Sequence, residues 1–353
     1  MQLAADPSRH PGSQRPVKIL SGMADPSLVL YWLAFAYPCL VKEPAVSNAG
    51  RQLAAVIALM GLLVAGCGGA GGDAEGPTRS VQHAMGVSEV PMNPERVVVL
   101  DTGELDSVLA LGIKPVGAVR ADEVAGPQAY LGQQAQGIEP VGTIESPNLE
   151  AIVALKPDVI LSNSVRHEDI YAQLNEIAPT VFAGSVGESW KENLRLAGTA
   201  LGKSDQAERI LADYENKAKQ VGTAFGDPAQ VEVSMVRFMA NGIRLYGEGS
   251  FIGTILSDVG FARPPIARTD ETFVQIGPEQ VSSADGDLLF YAGYGNDGLD
   301  EQAKLAAGPL WQRLGAVSRG DAHPVSDDLW YLGIGPIAAN QVLDELPRYV
   351  PQP

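Results

Sequence analysis

The stretch Asn148-Leu-Glu-Ala-Ile-Val-Ala-Leu-Lys-Pro-Asp-Val-Ile-Leu161 decides the architecture of this chain. Leu149 to Leu155 has apolar residues at helical spacing and stops at Lys156-Pro157, because a proline cannot continue a helix. Asp158-Val-Ile-Leu161 is then a short apolar run, the pattern of a strand buried on both faces. The same pattern returns in Glu279-Gln-Val-Ser-Ser-Ala-Asp-Gly-Asp-Leu-Leu-Phe290. In both copies a Glu opens a short helix, an Asp follows at the same spacing, and a buried strand comes next. Between them, Trp190 to Leu201 reads as one helix, and Ser204 or Asp205 caps another running to about Val221, roughly 25 Å long. A repeated unit on either side of a long helix predicts two related lobes and a bridge. Each lobe would present its Glu at a helix N-terminus, where the helix dipole favours a carboxylate.

The flanking sequence extends this α/β reading. In the first lobe, Arg96-Val-Val-Val-Leu-Asp101, Val116 to Val119 and Thr180-Val-Phe182 are further strands. Leu105 to Leu111, closed by Gly112, and Ile170 to Ile177 are helices. In the second lobe, Val231 to Phe238 and Ile243 to Tyr246 are strands around the turn Ala240-Asn-Gly242. Ser250 to Val259 and Pro336 to Leu346 are helices. The expected boundaries are 81–187 for the first lobe, 188–224 for the helical region and 225–353 for the second lobe. Strands alternating with helices imply a parallel sheet in each lobe.

The start of the chain speaks to location. Arg51 leads the apolar run Leu53 to Val64, which ends in Val64-Ala-Gly-Cys67. That run is too short for a bilayer-spanning helix, which needs about 20 apolar residues, and has the length and flanks of a secretory signal. The ending resembles a bacterial lipobox, so 51–66 is expected to be a signal peptide and Cys67 the lipidated first residue of an extracytoplasmic, membrane-anchored protein. Gly68 to Pro77 is rich in glycine, and 67–80 reads as a flexible tether. Residues 1–50 exceed any normal signal n-region and are read as an over-extended leader, with translation starting near Val46. The two cysteines are Cys39, in that leader, and Cys67, which leaves the mature fold without a disulfide or Cys metal site. The net charge of −17 argues against a nucleic-acid partner.

At four stretches the chain resembles the substrate-binding lipoproteins of ABC importers for iron-siderophores, haem and cobalamin. They are Arg96-Val-Val-Val-Leu-Asp-Thr-Gly-Glu-Leu-Asp106, Asn148 to Asp158, Leu310-Trp-Gln-Arg-Leu-Gly-Ala-Val317 and Leu329-Trp-Tyr-Leu-Gly-Ile-Gly-Pro336. The resemblance covers about Val81 to Leu346 and is nearest to the iron-siderophore branch. It implies the class III periplasmic binding protein fold, with two Rossmann-like lobes, a single connecting helix and a cleft between them. It also implies a monomer that takes a ferric siderophore and delivers it to an ABC permease. Glu150 and Glu279 match the positions at which the family docks against permease arginines. No resident cofactor or protein-bound metal is expected, because the chelator itself ligates the iron.

In doubly wound lobes ligands lie beyond the carboxyl ends of the strands. That rule selects Thr102, Glu104, Arg120, Ser164, Arg166 and His167 in the first lobe. In the second it selects Arg237, Tyr246, Ser250, Phe251, Tyr291, Tyr294, Trp330 and Tyr331. Arginine supplies permanently charged donors for chelator oxygens, and Tyr and Trp supply broad contact with a polar edge. Each has a plainer reading. The arginines could be solvated surface charges, with Glu168 and Asp169 available to Arg166, and Tyr246 and Tyr291 could be strand-end core. Trp311 is read as core and Trp330 as a loop aromatic open to ligand. His323 is read as structural, and His167 is the candidate haem ligand. No nucleophile elbow, Walker loop or glycine-rich dinucleotide fingerprint is present, so an enzyme is not expected. The alternatives are a haem or cobalamin receptor of the same fold, and an envelope scaffold that transports nothing.

Overall fold

The computed structural model describes residues 76–121 and 126–350. The expected leader, the signal segment, Cys67 and most of the tether lie outside those residues. Gly71–Pro353 forms one compact unit that holds two five-stranded sheets.

The chain enters the first lobe through an antiparallel hairpin, β1 (Thr78–His83) and β2 (Gly86–Pro91). Thr78 is thus already in a strand, although the sequence reads as tether to 80. The hairpin is fixed to the lobe by the Ser88 hydroxyl, which donates to the Thr180 carbonyl at 2.7 Å. The lobe's sheet contains β3 (Val97–Val99), β4 (Gly117–Arg120), β5 (Glu139–Thr143), β6 (Val159–Asn163) and β7 (Thr180–Ala183), in the order β5-β4-β3-β6-β7. All its pairings are parallel, and the Val97–Val99 run is buried on both faces, as a central parallel strand requires. Helices α1 (Thr102–Ala110), α2 (Leu149–Leu155) and α3 (Tyr171–Ile177) flank it. Asn148 caps α2 by accepting from the Ala151 N–H at 3.0 Å, and Lys156 ends it at a φ of 47° before Pro157.

Helix α4 (Trp190–Ala200) leads to the bridging helix α5 (Ser204–Ala224), whose 21 residues span roughly 32 Å. The second lobe's sheet contains β8 (Val233–Met239), β9 (Gly242–Tyr246), β10 (Phe273–Ile276), β11 (Leu288–Gly293) and β12 (Ala322–Pro324), in the order β10-β9-β8-β11-β12. Here β9 runs antiparallel to both neighbours, so this sheet is mixed rather than parallel. Helices α6 (Phe251–Val259), α7 (Gly295–Ala306), α8 (Asp327–Trp330) and α9 (Pro336–Glu345) cover it.

The internal repeat has a structural purpose. Asp158 accepts from the backbone N–H groups of Glu95 and Arg96, at 2.7 and 2.9 Å, and so ties the start of β3 to β6. Asp287 accepts from the Glu232 N–H at 2.8 Å and ties the start of β8 to β11 in the same way. The copies differ in the preceding helix. Pro278–Ala284 is a 3-10 helix, within which the Ser283 hydroxyl donates to the Gln280 carbonyl.

One apolar core continues from lobe to lobe. It joins Val97, Leu105 and Val108 to Leu211 and Tyr214 on α5, and then to Ile255, Trp330 and Val342. Separate clusters fill the far faces of the two sheets.

Candidate ligand-binding seam between the lobes

A set of polar contacts crosses from lobe to lobe. Asp106 on α1 is fully buried and accepts from the Ile337 and Ala338 N–H groups at 2.8 and 3.0 Å, capping α9 of the opposite lobe. The Tyr130 hydroxyl donates to the same carboxylate at 3.0 Å. Burial pushes the Asp106 carboxyl up to about 7, against the pull of those hydrogen bonds. Gly335 has a φ of 143°, and a Cβ there would fall 2.5 Å from Asp106 Oδ1, so the cap requires glycine. Nearby, the Thr102 hydroxyl donates to the Leu332 carbonyl at 3.4 Å, and the Tyr130 N–H donates to Asp328 at 3.3 Å. The Trp190 indole N–H donates to Thr254 at 3.0 Å.

Two polar half-sites flank this seam. In the first lobe, Asp101 follows β3 and caps α1 by accepting from the Thr102 N–H at 2.6 Å. Its other oxygen accepts from Asn163 at 3.0 Å and from Arg166 Nε at 3.3 Å. The sequence offered Glu168 and Asp169 as partners for Arg166; the partner is Asp101. The Ser164 hydroxyl donates to the Gly184 carbonyl at 3.2 Å. Glu104 is buried beside a small cavity lined by Leu161, Ser162 and Asn193, which makes it an interior group. Burial, with the Asp101 charge, raises its carboxyl to about 8, so it is protonated at neutral pH.

In the second lobe, Arg237 forms a two-pronged pair with Asp327, at 2.6 Å from Nε and 2.7 Å from Nη2. Its Nη1 donates to the Tyr246 hydroxyl at 3.1 Å, and the Tyr294 ring covers the guanidinium at 4.5 Å. Burial by itself would lower the guanidinium pKa, but the hydrogen bonds to Asp327 and Tyr246 outweigh it and the net shift is upward. The Tyr331 hydroxyl donates to the Val236 carbonyl at 2.9 Å, and its ring is buried against Tyr246. Thr102 adjoins Asp101, and Asp328 and Leu332 adjoin Asp327 and Tyr331. Each half-site is thus next in sequence to a residue that makes a contact across the seam.

Several sequence-selected residues lie elsewhere. Trp330, read as an open loop aromatic, is 0% exposed on α8, stacks on Phe290 at 4.9 Å and donates its N–H to Glu345. Its place after β12 is right, but the short helix turns the ring inward. Arg120 lines a small cavity within the first lobe beside Leu105, Ala135 and Ile138. Because β9 is antiparallel, Ser250 and Phe251 leave the sheet at the amino end of β8. Ser250 caps α6 there, and Phe251 packs on Trp190. Tyr291 packs edge-on against Trp311, which is core as the sequence predicts. His167 has both ring nitrogens engaged, one with Ser162 at 2.6 Å and one with the Ile144 carbonyl at 2.7 Å, so it is a buried structural residue rather than a haem ligand. Tyr294, at 40% exposure, is the most open aromatic of the half-sites.

Sequence reasoning passed over Asp101, Asn163, Asp327, Asp328 and Tyr130. The signal for Asp101 and Asn163 was present, since each precedes a helix at a position where Asp, Asn or Ser caps are favoured, and Asp327 opens α8 directly after its cap Ser326. Glu150 and Glu279 are both exposed, and Glu150 borders an open groove lined by Leu149, Val153, Pro157 and Ile177. Among the described residues no group of three His, Cys, Asp or Glu side chains could hold a metal ion. Among them, too, no helix is long and apolar enough to cross a membrane.

Known proteins share this design. The family described as "Periplasmic binding protein" matches residues 97–322. The probable siderophore-binding lipoprotein YfiY of Bacillus subtilis is 41% identical over 77% of this chain and 87% of its own length. The Fe(3+)-citrate-binding protein YfmC of the same organism is 30% identical over 80% of this chain and 91% of its own. The crystal structure of Staphylococcus aureus SirA complexed with staphyloferrin B superposes with a TM-score of 0.71 at 30% identity, over 77% of this chain and 98% of that one. With its two lobes, bridging helix and seam, this chain belongs to the periplasmic binding protein family, among relatives named for siderophores and ferric citrate.

Proposed function

We propose that this chain is an extracytoplasmic receptor, anchored through lipid on Cys67, that binds a ferric siderophore as a monomer and delivers it to an ABC permease. The observation that carries the reading is a polar half-site in each lobe, each next in sequence to contacts that cross from lobe to lobe. Tyr294, at 40% exposure, offers contact area with a polar edge, and Arg166, 43% exposed along its side chain, offers hydrogen-bond donors. Such groups suit the periphery of a chelate whose iron is already fully ligated. The engaged ring nitrogens of His167 weigh against haem. Glu150 and Glu279, exposed on separate lobes, are proposed to dock on permease arginines.

One paired experiment tests both parts. Tryptophan fluorescence of wild type and of the variant Glu150→Arg/Glu279→Arg is titrated with ferric and iron-free chelators, alongside uptake of the radiolabelled ferric chelate by cells. Saturable quenching by a ferric chelate in both proteins, with uptake lost only in the variant, is the expected result. Loss of affinity in the variant would reject the division between ligand seam and docking face. No binding of any chelate by wild type would reject the receptor reading.

A further inference from the structure

Two arginines face each other across the second lobe's sheet, and only one of them has a counter-charge. Arg237 on β8 is directly opposite Arg244 on β9, and residues paired in this way across an antiparallel ladder share one face of the sheet. It is the face of the second half-site, where Arg237 meets Asp327 and Tyr294. Like charges set opposite each other destabilise a sheet. Asp327 answers Arg237, but none of the ion pairs among the described residues includes Arg244. The Arg244 guanidinium sits over the Phe273 ring at 4.1 Å, and its Nε is buried without a hydrogen-bond partner. The ring holds the cation by one face and leaves its edge of donors unengaged.

The position suits a contact with cargo. Arg237 is two residues from the carboxyl end of β8, so Arg244 is near the same end, beyond which ligands bind in such sheets. On its other side Arg244 is opposite Gln275 of β10, which is exposed and uncharged. The carboxylates nearest in sequence are Glu248, past the carboxyl end of β9, and Asp270 and Glu271, before the amino end of β10; all three are exposed. Arg263 is a third cation in this lobe. It is 2% exposed, donates to the Val233 and Tyr246 carbonyls at 2.8 and 2.6 Å, and has a bare Nη1, so it adds positive charge from within the lobe without reaching the surface. Asp328, a further carboxyl at the seam, accepts from the Tyr130 N–H of the first lobe.

Resting on the receptor reading above, we propose that Arg244 is the second lobe's contact for an anionic oxygen group at the rim of the cargo, so that the receptor favours a ferric chelate carrying a peripheral carboxylate. A carboxylate is planar and accepts from two guanidinium nitrogens at once, which matches the donor edge that Phe273 leaves open. It gives Arg244 the counter-charge that Asp327 gives Arg237, and the Arg237–Asp327 pair stays intact. A chelate whose charge is fully cancelled, such as a ferric trihydroxamate, leaves the opposed arginines half-compensated.

The test is a calorimetric titration of the full-length chain in detergent, wild type and Arg244→Gln, with three ferric complexes: an anionic citrate complex, a neutral trihydroxamate and a triscatecholate. Wild type should bind the citrate complex at least about tenfold more tightly than the trihydroxamate, a step of one decade in Kd. Arg244→Gln should cost about tenfold for the citrate complex and less than about twofold for the trihydroxamate. The wild-type affinity for the citrate complex should fall as salt is raised, and that of the variant should fall less. Arg244→Lys should recover only part of the loss, because an ammonium keeps the charge and not the planar fork. A thermal melt of Arg244→Gln should stay at about the wild-type temperature, since no hydrogen bond is lost. Equal losses for the citrate complex and the trihydroxamate, no loss for the citrate complex, or tighter binding of either other chelate by wild type would overturn the inference and leave the receptor reading intact. A lower melting temperature with unchanged affinities would make Arg244 a structural residue and overturn it as well. If wild type binds none of the three, the receptor reading falls and the inference falls with it.

Discussion

The two lobes carry the same strand-tying carboxylates, Asp158 and Asp287, yet they hold their seam arginines very differently. In the parallel first lobe, Arg166 reaches Asp101 through one nitrogen at 3.3 Å and is 43% exposed along its side chain. In the mixed second lobe, Arg237 is clasped by Asp327 from two nitrogens, supported by Tyr246 from the antiparallel β9, and covered by Tyr294. The antiparallel strand makes the difference. Tyr246 is on β9, whose register sets Leu245 opposite Val236 and Arg244 opposite Arg237, and so its hydroxyl comes within reach of the guanidinium. The second lobe thus offers a preset surface and the first an adjustable one.

The strongest way to break this comparison is to remove Asp327. Asp327→Ala leaves Arg237 buried without its counter-charge, and breaking a buried pair from one side costs about 3–5 kcal/mol. Denaturant unfolding of the variant should show a loss of that order. A loss under about 1 kcal/mol would mean that the second half-site is as loose as the first.

Much of this arrangement was legible in the sequence, and the failures have local causes. Val97–Val99, Val159–Asn163 and Leu288–Gly293 have patterns that only a doubly covered strand requires, and α5 announces itself through its length and apolar stripe. Strands β10 and β12 were illegible because three of the four residues in one are incompletely buried or exposed, and the other is three residues long and ends in Pro324. The antiparallel course of β9 was implicit in the turn at Ala240–Gly242, but the strand-end rule was applied as if every strand were parallel. That put Ser250 and Phe251 in the ligand set. The arginines were found and their partners were not. Asp101 looks like a helix cap in sequence and Asp327 like a first-turn carboxylate, and only folding brings Arg166 and Arg237 to them from 65 and 90 residues away.

A second contrast concerns protons. Glu104 in the first lobe has an Oε2 that is buried without a hydrogen-bond partner, and its carboxyl is raised from 4.5 to about 8, mainly by burial. The folded state therefore holds a proton that the unfolded chain releases above about 4.5. The stability this gives is complete below that value and is lost as the pH climbs through about 8. Asp106 acts in the same direction between 3.8 and about 7. Glu104→Gln removes the larger part of this dependence and should raise stability by roughly 1–3 kcal/mol near neutral pH, where the unfolded glutamate is ionised and the folded one is not. Unfolding curves collected across that range should show the gain widening with pH. Parallel profiles for the two proteins would mean that Glu104 is ionised and paired in the folded state.

The smallest effect is the most informative about the first half-site. Arg166→Ala removes a half-exposed partner with one long contact, and such pairs contribute about 0–1 kcal/mol to stability. Asp101 keeps its hydrogen bonds from the Thr102 N–H and from Asn163, so its charge stays compensated after the arginine is gone. The melting curve should barely move. Affinity for the ferric chelate should fall all the same, because the exposed guanidinium is the adjustable donor on that side of the seam. A change in affinity without a change in stability would place Arg166 among the ligand contacts. A large loss of stability would make it a structural twin of Arg237, and the difference between the lobes would then disappear.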